Sequence, residues 1–557
     1  MGDCDSGGSM RVTFKWLTLS ALVLAAGQAQ AQDLLIHGGP IYTGAAKVEA
    51  LAVKDGKVAF AGPLAQARAA VTSAQDIDLQ GAAAFPGFVD AHAHLSGIGF
   101  REMTLSLEGT ASIEDLVARL KAWAAEHPGA EPISGRGWIE THWPEKRFPT
   151  AADLDRAVPD RPVVLTRADG HALVANSKML ALAGVTAKTQ APAGGQILKD
   201  AAGQPTGMLI DNAMELVRGK VPPPTPAQQA EAVRRGADLY ASRGWTGLHN
   251  MSVSAAEVAD QKALAASGKL PVRIDNYLQL EDGGQVLSAG PSQDPTGLVR
   301  VRGVKMYMDG ALGSRGAALL APYSDAEGTG LIVTPRAEID AALAEARASG
   351  AQIAIHAIGD RGNRIVLDAY QQAFVDDPAA LKAARWRVEH AQILAPEDLP
   401  RFARLGVVAS MQPSHAIGDL FFAPARLGEQ RLKGAYAWES LLKTGAVIAG
   451  GSDAPVEKGD PLVEFYAAAY RHDLKGYAGA DWGLDEAVTR AQALAMFTGG
   501  PAYAGFRENE LGLLAPGRPA DLSVFSVDLM TAPFADIAKA HAVMTIVDGK
   551  VVYRTAR

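Results

Sequence analysis

The feature that most constrains the fold is a repeated alternation of alanine-rich amphipathic segments with short apolar runs through the middle of the chain. Ala337–Ser349 precedes Ile353–Ile355, and Glu397–Leu405 precedes Val407–Ala409. A glycine stands before each apolar run, as is common where a helix ends. Strand and helix repeated in this order predict a parallel sheet covered by helices. For 557 residues we expect an α/β fold, as two or three domains or as one (β/α)8 barrel with additions.

Both chain ends differ from the middle, because they carry short β-like segments and little helical periodicity. Asp55-Gly56 and Asp548-Gly549 predict tight turns between such segments. Chain ends often lie close together in a folded domain. We therefore expect one small β-sandwich built from residues 32–85 and 506–557, beside a barrel formed by residues 86–505. The β-like segments are Leu34–Ile36, Ile41-Tyr42, Leu51–Val53, Val58–Phe60, Asp521–Phe525, Val543–Ile546 and Val551–Tyr553.

A segment from about residue 140 to residue 226 interrupts the barrel pattern. It is too long for a simple connection between a strand and a helix, and long insertions often form binding sites. It ends in the proline-rich run Val221–Pro226, which is typical of a domain junction. We expect this insertion to cover the barrel mouth and to shape specificity.

Residues 1–31 have the order of a secretory signal peptide. Arg11 and Lys15 precede an apolar stretch from Trp16 to Ala26, and Ala29-Gln30-Ala31 supplies a small-residue cleavage site. The stretch is shorter than the ~20 apolar residues of a membrane span. We expect cleavage after Ala31 and a periplasmic or secreted protein free of the membrane. Whether translation starts at Met1 or at Met10 is left open.

Composition restricts the partners and the type of metal site. There are 53 Lys and Arg against 61 Asp and Glu, a net charge of −8, whereas nucleic-acid binding needs a clustered basic surface. We therefore expect no nucleic-acid partner. The single cysteine, Cys4, excludes intramolecular disulfides and thiolate metal sites. Any metal must be held by histidine and carboxylate side chains.

Residues able to bind a metal stand at the ends of several predicted strands. His92 and His94 are two positions apart, so their side chains share one face of a strand; they are a ligand pair or part of a polar turn. His356, His390 and Asp453 each end another apolar strand. The carboxyl ends of the strands converge in a (β/α)8 barrel, so we expect these side chains to meet.

Lys305 lies among apolar neighbours in a further predicted strand. Burying an ammonium group is costly unless the group is paired or chemically altered. A deprotonated lysine can add carbon dioxide and become a carbamate, an anionic oxygen donor able to bridge two metals. A lysine that reaches solvent or forms a salt bridge is the alternative that this strand alone leaves open.

These segments together resemble the amidohydrolase superfamily, and more narrowly amidohydrolase family 3, the group of the N-substituted formamide deformylases and the YtcJ-like proteins. The resemblance extends over nearly all of residues 33–557. Its motifs are Pro86–His94, Lys305–Gly310, His356–Asp360, Glu389-His390-Ala391, Gly451-Ser452-Asp453 and the Gly-x-Leu-x-Pro-Gly-x-x-Ala-Asp pattern of Gly512–Asp521.

The resemblance implies a distorted TIM (β/α)8 barrel beside a β-sandwich, with a site for two divalent metal ions, zinc being the expected metal. It also implies hydrolysis of a carbon–nitrogen bond in a small N-acyl or N-formyl amide. By position, the first metal is assigned to His92, His94 and Asp453, the second to His356 and His390, and the bridge between them to carboxylated Lys305.

The expected chemistry agrees with these residue types. Imidazole and carboxylate are suitable ligands for Zn²⁺, and metal binding lowers the pKa of water to near neutrality. The resulting metal-bridging hydroxide would attack a carbonyl. Asp453 would take its proton and return it to the leaving nitrogen.

Three residues are candidates for substrate contacts. His171 and His415 stand in segments that resemble recurrent segments of the narrower family, and a structural role is the alternative for both. Trp138 is a candidate for an aromatic pocket wall, with aromatic packing as the alternative. His249 ends an apparent strand and is a candidate for lining the barrel mouth.

Two other functions are left open. The same site could hydrolyse a lactone or another carboxylic ester, since the same hydroxide attacks each of these carbonyl groups. A non-catalytic exported binding protein could keep the barrel, although no expected ligand position holds an incompatible residue. Homo-oligomerisation is also left open.

Overall fold

A computed structural model describes residues 32–168, 170–192, 195–479 and 482–555. The predicted signal segment, residues 1–31, lies outside the described residues. Among the described residues, no helix has both the length and the apolar composition that crossing a membrane requires.

The centre of the molecule is a nearly closed barrel of eight parallel strands, which confirms the predicted distorted TIM barrel. Neighbouring strands pair in chain order from the first to the eighth. The eighth strand is joined to the first just beyond its end. There the Asp453 N–H donates to the His92 carbonyl (2.6 Å) and the His94 N–H donates to the Ala454 carbonyl (2.8 Å). The barrel strands, numbered first to eighth below, are Phe88–Ala93, Trp245–Val253, Arg273–Gln279, Val299–Tyr307, Gln352–Ala357, Arg387–His390, Val408–Met411 and Ile448–Gly450.

Helices connect the strands and cover the barrel. The helix Pro226–Arg243 follows directly from the proline-rich run and starts with a capping box between Thr225 and Gln228. It ends at Gly244, whose φ of 99° is readily adopted only by glycine. The barrel helices are Leu95–Met103, Pro226–Arg243, Ala255–Ala266, Gly284–Ala289, Arg336–Ser349, Asp360–Ala373, Pro378–Ala384, Leu399–Leu405, Pro413–Asp419, Ala423–Leu427, Glu429–Leu432, Trp438–Lys443, Pro461–Tyr470, Arg490–Phe497 and Gly499–Ala504.

The insertion is larger than the sequence predicts, because it starts near residue 105 and not near residue 140. Its first strand pairs with its second, and the second pairs with Val163–Arg167. All six strands therefore belong to one sheet with its own hydrophobic core. Helices Ile113–Glu126, Ala151–Asp155 and Ser177–Ala183 accompany this sheet. Its strands are Leu105–Ser106, Ile133–Trp138, Val163–Arg167, Ala172–Ala175, Gly195–Lys199 and Pro205–Asp211.

Strands from both chain ends form one eight-stranded sheet. The ends meet where Ala83–Pro86 pairs antiparallel with Leu522–Phe525. The sheet encloses an apolar cluster to which both ends contribute, for example Ile36 and Ile546. The strands are Leu34–Tyr42, Lys47–Lys54, Lys57–Gly62, Gln75–Asp78, Ala83–Pro86, Leu522–Phe525, Ala542–Val547 and Lys550–Arg554.

Candidate metal centre

The first group of predicted ligands meets at the carboxyl ends of the first and eighth barrel strands. The His94 Nε2 lies 3.1 Å and the His92 Nε2 3.5 Å from the Asp453 Oδ1. One ligand atom from each of these three side chains fits within 4.8 Å of the others. The backbone hydrogen bonds that close the barrel involve the same three residues, so the closed barrel holds this group together.

The second group lies beside the first. The His390 ring centroid is 4.7 Å from that of His92 and 4.5 Å from that of His356. The His356 Nε2 lies 3.5 Å from the Gly310 carbonyl oxygen. One ligand atom from each of His390, His415 and Asp453 lies within 4.8 Å of the others. The sequence predicts His415 only as a substrate contact.

Lys305 is buried between the two groups. Its side chain leaves the fourth strand with its Nζ 3.4 Å from the His92 Nε2 and 4.7 Å from the centre of the Tyr307 ring. Within the described part of the chain, no ion pair joins Lys305 to a carboxylate. Lys305 is 2% exposed, so neither the solvent-reaching lysine nor the salt-bridged lysine agrees with this position.

Burial keeps the histidines suitable as ligands. It lowers the pKa of His92, His356 and His390 well below the usual value, and the charge of Lys305 acts in the same direction. Neutral imidazole has a free lone pair for a metal. Three neutral imidazoles, the Asp453 carboxylate and a buried lysine therefore form a donor set that fits divalent metal ions.

Each of three ligand rings is oriented by an acceptor at its Nδ1. The His92 Nδ1 lies 2.6 Å from the Glu389 Oε2, and the His94 Nδ1 lies 3.0 Å from the Met251 carbonyl. The His390 Nδ1 lies 2.8 Å from the Gln412 Oε1. Because a carbonyl or carboxylate oxygen only accepts, these contacts place the proton on Nδ1 and leave Nε2 free as ligand. No sequence pattern indicates that Glu389 and Gln412 orient these rings, because both act across the barrel on side chains distant in the chain or on a neighbouring strand.

The backbone at two of the predicted ligands is strained. His390 and Asp453 have φ values of 74° and 57°, in the left-handed region, which costs a non-glycine residue about 1–3 kcal/mol. Such strain persists only where the surrounding structure holds it and is typical of functional sites.

Comparison with known proteins agrees with this geometry. The sequence matches the model of the amidohydrolase family over residues 75–553. The chain belongs to the amidohydrolase family. YtcJ of Bacillus subtilis (strain 168) is 34% identical over 542 residues, which cover 93% of this chain and 98% of YtcJ.

Two further relatives of this amidohydrolase have names that concern activity. An N-substituted formamide deformylase from Arthrobacter pascens is 28% identical over 543 residues, which cover 94% of this chain and 99% of that protein. The crystal structure of an uncharacterized metal-dependent hydrolase from Pyrococcus horikoshii OT3 has a TM-score of 0.74 at 29% identity and covers 90% of this chain and 99% of that one. The chain is thus a member of a metal-dependent hydrolase family.

Two of the three predicted substrate contacts of this amidohydrolase lie near the predicted metal ligands. The buried His415 has its Nε2 3.6 Å from the Asp453 Oδ2 and 3.9 Å from the Glu457 Oε1, without a hydrogen-bond partner in the described residues. His171 belongs to the insertion, where its Nδ1 lies 3.0 Å from the Asp211 Oδ1. Burial lowers the pKa of His356 most, and the charges of His390, Lys305 and His171 act in the same direction.

Trp138 is placed differently from the prediction. It is fully buried in the core of the insertion, where its ring packs against Trp143 and Phe148 and its Nε1 donates to the Leu165 carbonyl at 2.9 Å. An indole with its polar atom satisfied and no exposed surface cannot form a pocket wall. The structure therefore replaces the predicted substrate contact by a packing role.

Asp309 is a further buried residue that shapes this amidohydrolase site. It accepts backbone N–H bonds from Ala318, Ile358 and Gly359 at 2.8 to 2.9 Å. Burial raises the pKa of Asp309 to about 7, against the effect of these hydrogen bonds. Asp309 thereby ties the segment after the fourth strand to the segment that follows His356.

Proposed function

We propose that this protein hydrolyses the carbon–nitrogen bond of a small N-acyl or N-formyl amide at the centre formed by its strand ends. The observation that carries the proposal is the convergence of neutral histidines and Asp453 around the buried Lys305. The likeness to an N-substituted formamide deformylase supports a carbon–nitrogen bond as the target.

The donor set suits two divalent metal ions, with zinc favoured by imidazole and carboxylate ligands. When bound, such ions lower the pKa of water and polarise a carbonyl oxygen. A carbamate on Lys305 would replace a buried ammonium by an anionic bridging donor, which removes the cost of an unpaired buried cation. We assign His92, His94 and Asp453 to one ion, His356 and His390 to the other, and carboxylated Lys305 to both.

Asp453 is the group we assign to proton transfer. Water adds to the substrate carbonyl, Asp453 accepts the proton that water loses, and Asp453 then donates it to the nitrogen as the carbon–nitrogen bond breaks. The leaving group departs as a neutral amine, which needs this proton because an amine anion is a poor leaving group. The Asp453 Oδ2 lies on the side of His415, so a substrate bound there is within reach.

We assign His415 and His171 to substrate contacts. The buried Nε2 of His415 has no hydrogen-bond partner among the described residues, and a buried polar atom is costly unless it gains one. A substrate amide or carbonyl placed between His415 and Asp453 would supply this partner. His171 would act from the insertion, on the side of His356.

We also propose that the protein is exported and starts near Gln32, in the periplasm or outside the cell. The basic residues, the short apolar run and the Ala-x-Ala site of residues 11–31 support this proposal.

Metal analysis of the purified mature protein, followed by substrate panels, tests the function. We expect about two divalent metals per chain and turnover of at least one N-acyl, N-formyl or dipeptide substrate. If the metal-loaded protein cleaves lactones or esters and no amide, the amidase assignment is wrong and the protein is an esterase or lactonase. A protein that binds no divalent metal would contradict the proposal altogether, and a loaded protein without turnover would favour the binding-protein alternative.

A further inference from the structure

A fully buried arginine, Arg387, lies directly behind the metal centre. Its Nε donates to the Glu389 Oε1 at 2.7 Å, and one terminal nitrogen donates to the Glu389 Oε2 at 3.2 Å. The same terminal nitrogen donates to the Ala91 carbonyl at 2.6 Å and to the Ser410 Oγ at 2.9 Å. The guanidinium therefore binds Glu389 in a forked, charge-assisted arrangement and joins the first, sixth and seventh strands.

Glu389 links this arginine to a metal ligand. Its Oε2 lies 2.6 Å from the His92 Nδ1, and all three side chains are excluded from solvent. A buried carboxylate is tolerated where a cation compensates its charge and donors fill its lone pairs. Arg387 supplies the charge and two of the donors, and His92 supplies another. Glu389 is thus held in one position by Arg387 while it holds the His92 ring.

His249 backs the arginine from the opposite side. The other terminal nitrogen of Arg387 donates to the His249 Nδ1 at 2.7 Å and to the Tyr277 hydroxyl at 3.1 Å. A guanidinium only donates, so the Nδ1 carries the lone pair and the proton of the neutral ring is on Nε2. That Nε2 lies 3.9 Å from the Asp275 Oδ2 in the barrel interior. The position of His249 at a strand end predicts that it lines the barrel mouth. The structure places it in the barrel interior instead, so this prediction is wrong.

We propose that Arg387, supported by His249, is a positioning residue that orients the metal ligand His92 through Glu389. The row Asp275, His249, Arg387, Glu389, His92 runs through the barrel interior and ends at the metal centre. It fixes the rotation of the His92 ring and keeps its proton on Nδ1, so that Nε2 is presented as ligand. This inference rests on the proposed metal site. It adds the residues that fix the orientation of one metal ligand, His92.

The test compares Arg387→Met with Arg273→Met. Arg273 is also a buried barrel arginine, but it pairs with Asp521 at the terminal sheet and not with a metal ligand. We would measure Zn²⁺ affinity of the apoprotein by competition with a chromophoric chelator, the visible absorption spectrum of the Co²⁺-loaded protein, and thermal unfolding of the apoprotein. Arg387→Met should lower Zn²⁺ affinity about 10- to 100-fold and change the Co²⁺ spectrum. Arg273→Met should lower only the unfolding temperature.

A double variant separates positioning from charge balance. Arg387→Met alone leaves the Glu389 charge buried and unpaired, whereas Arg387→Met with Glu389→Gln removes both charges. We expect the double variant to recover part of the lost thermal stability while Zn²⁺ affinity stays low. Recovery of wild-type affinity in the double variant would overturn the inference. Arg387→Lys keeps the charge without the forked contact and should also bind Zn²⁺ less tightly, which preserves the test if Arg387→Met does not fold.

The outcomes distinguish this inference from the proposed function. Wild-type Zn²⁺ affinity and an unchanged Co²⁺ spectrum in folded Arg387 variants would refute the positioning role alone. Absence of metal binding in the wild-type protein would refute the metal site and the inference together.

Discussion

At the scale of single residues, the candidate site depends on the burial of three histidines. Burial disfavours protonation of their rings, and an unprotonated imidazole can bind a metal. Burial lowers the pKa of His92, His356 and His390, so these rings are neutral at physiological pH and need no proton loss before they bind a metal. The strained backbone of Asp453, held by its N–H bond to the His92 carbonyl, brings its carboxylate to the same place.

The first residue-scale prediction separates metal binding from proton transfer. Asp453→Asn keeps an oxygen donor but cannot accept a proton, so the variant should retain most of its metal while kcat falls at least ~10²-fold. Metal content by elemental analysis and kcat on the best amide substrate check this. Near-wild-type turnover in a metal-loaded Asp453→Asn variant would rule out Asp453 as the proton carrier. His390→Ala is the contrasting variant, which should lose metal and activity together.

The second residue-scale prediction concerns Lys305. Lys305→Ala should lose most of its metal and activity, because it removes the buried side chain that we assign to both metal ions. Added acetate or bicarbonate should partly restore both by providing a small anionic ligand. Mass spectrometry under native conditions should show a carboxylated lysine in the wild-type protein. A Lys305→Ala variant with full metal occupancy would contradict the bridging role.

The third residue-scale prediction tests His415. As a substrate contact, His415→Ala should lower kcat/KM about 10-fold or more, a factor that corresponds to losing roughly one hydrogen bond, and should leave metal content unchanged. His127→Ala, at an exposed position, is the control. Loss of metal in His415→Ala would show instead that His415 is a ligand, as its closeness to His390 and Asp453 permits.

At the scale of elements, charged contacts join the third barrel strand to the terminal sheet. Arg273 donates to the Asp521 carboxylate at 2.6 and 3.1 Å and also contacts Asp548. Ser523 of the sheet accepts the Phe88 N–H at 2.8 Å and donates to the Gly244 carbonyl at 2.6 Å. The sheet thus anchors the start of the first strand, whose other end carries His92.

The element-scale prediction is that Arg273→Met destabilises the fold without changing the site. Removing one partner of a buried ion pair costs about 3–5 kcal/mol, because the other charge stays buried. We expect the free energy of unfolding in urea to fall by about this amount, with metal content and kcat preserved in the folded protein. A loss below about 1 kcal/mol would mean that the buried pair adds little to the fold.

At the scale of the whole molecule, a barrel, an inserted sheet and a terminal sheet make one protein that the N-terminal segment is proposed to send out of the cell. Both ends of the described chain contribute strands to one sheet, and its first strand, Leu34–Tyr42, begins after the proposed cleavage site.

The whole-molecule prediction is that the exported protein starts near Gln32. N-terminal sequencing or intact-mass measurement of the exported form should show cleavage after Ala31, since small residues at positions 29 and 31 fit the peptidase site. Replacing both by tryptophan should block processing and leave Trp16–Ala26 attached. An unmodified protein that retains this stretch after export would contradict the prediction.

The sequence by itself determined the features that depend on local backbone geometry. Strand alternation places His92 and His94 on one face, and the convergence of strand ends in a barrel groups them with His356, His390 and Asp453. The parallel α/β architecture was predictable for the same reason, because the order of strands and helices and the glycines at helix ends follow from hydrophobic periodicity and allowed φ values. The distorted TIM barrel was implied by the resemblance to the amidohydrolase superfamily.

Only the tertiary structure decided which distant side chains meet. Glu389 is 297 positions from the His92 ring it orients, and Arg387 is 138 positions from His249. Trp138 looks like a pocket residue in sequence and is a core residue of the insertion, whose start at residue 105 depends on strand pairing across the whole sheet. Periodicity along the chain specifies which face a side chain is on. Which side chains meet across the barrel depends on how all the elements pack together, and a local sequence pattern does not contain this information.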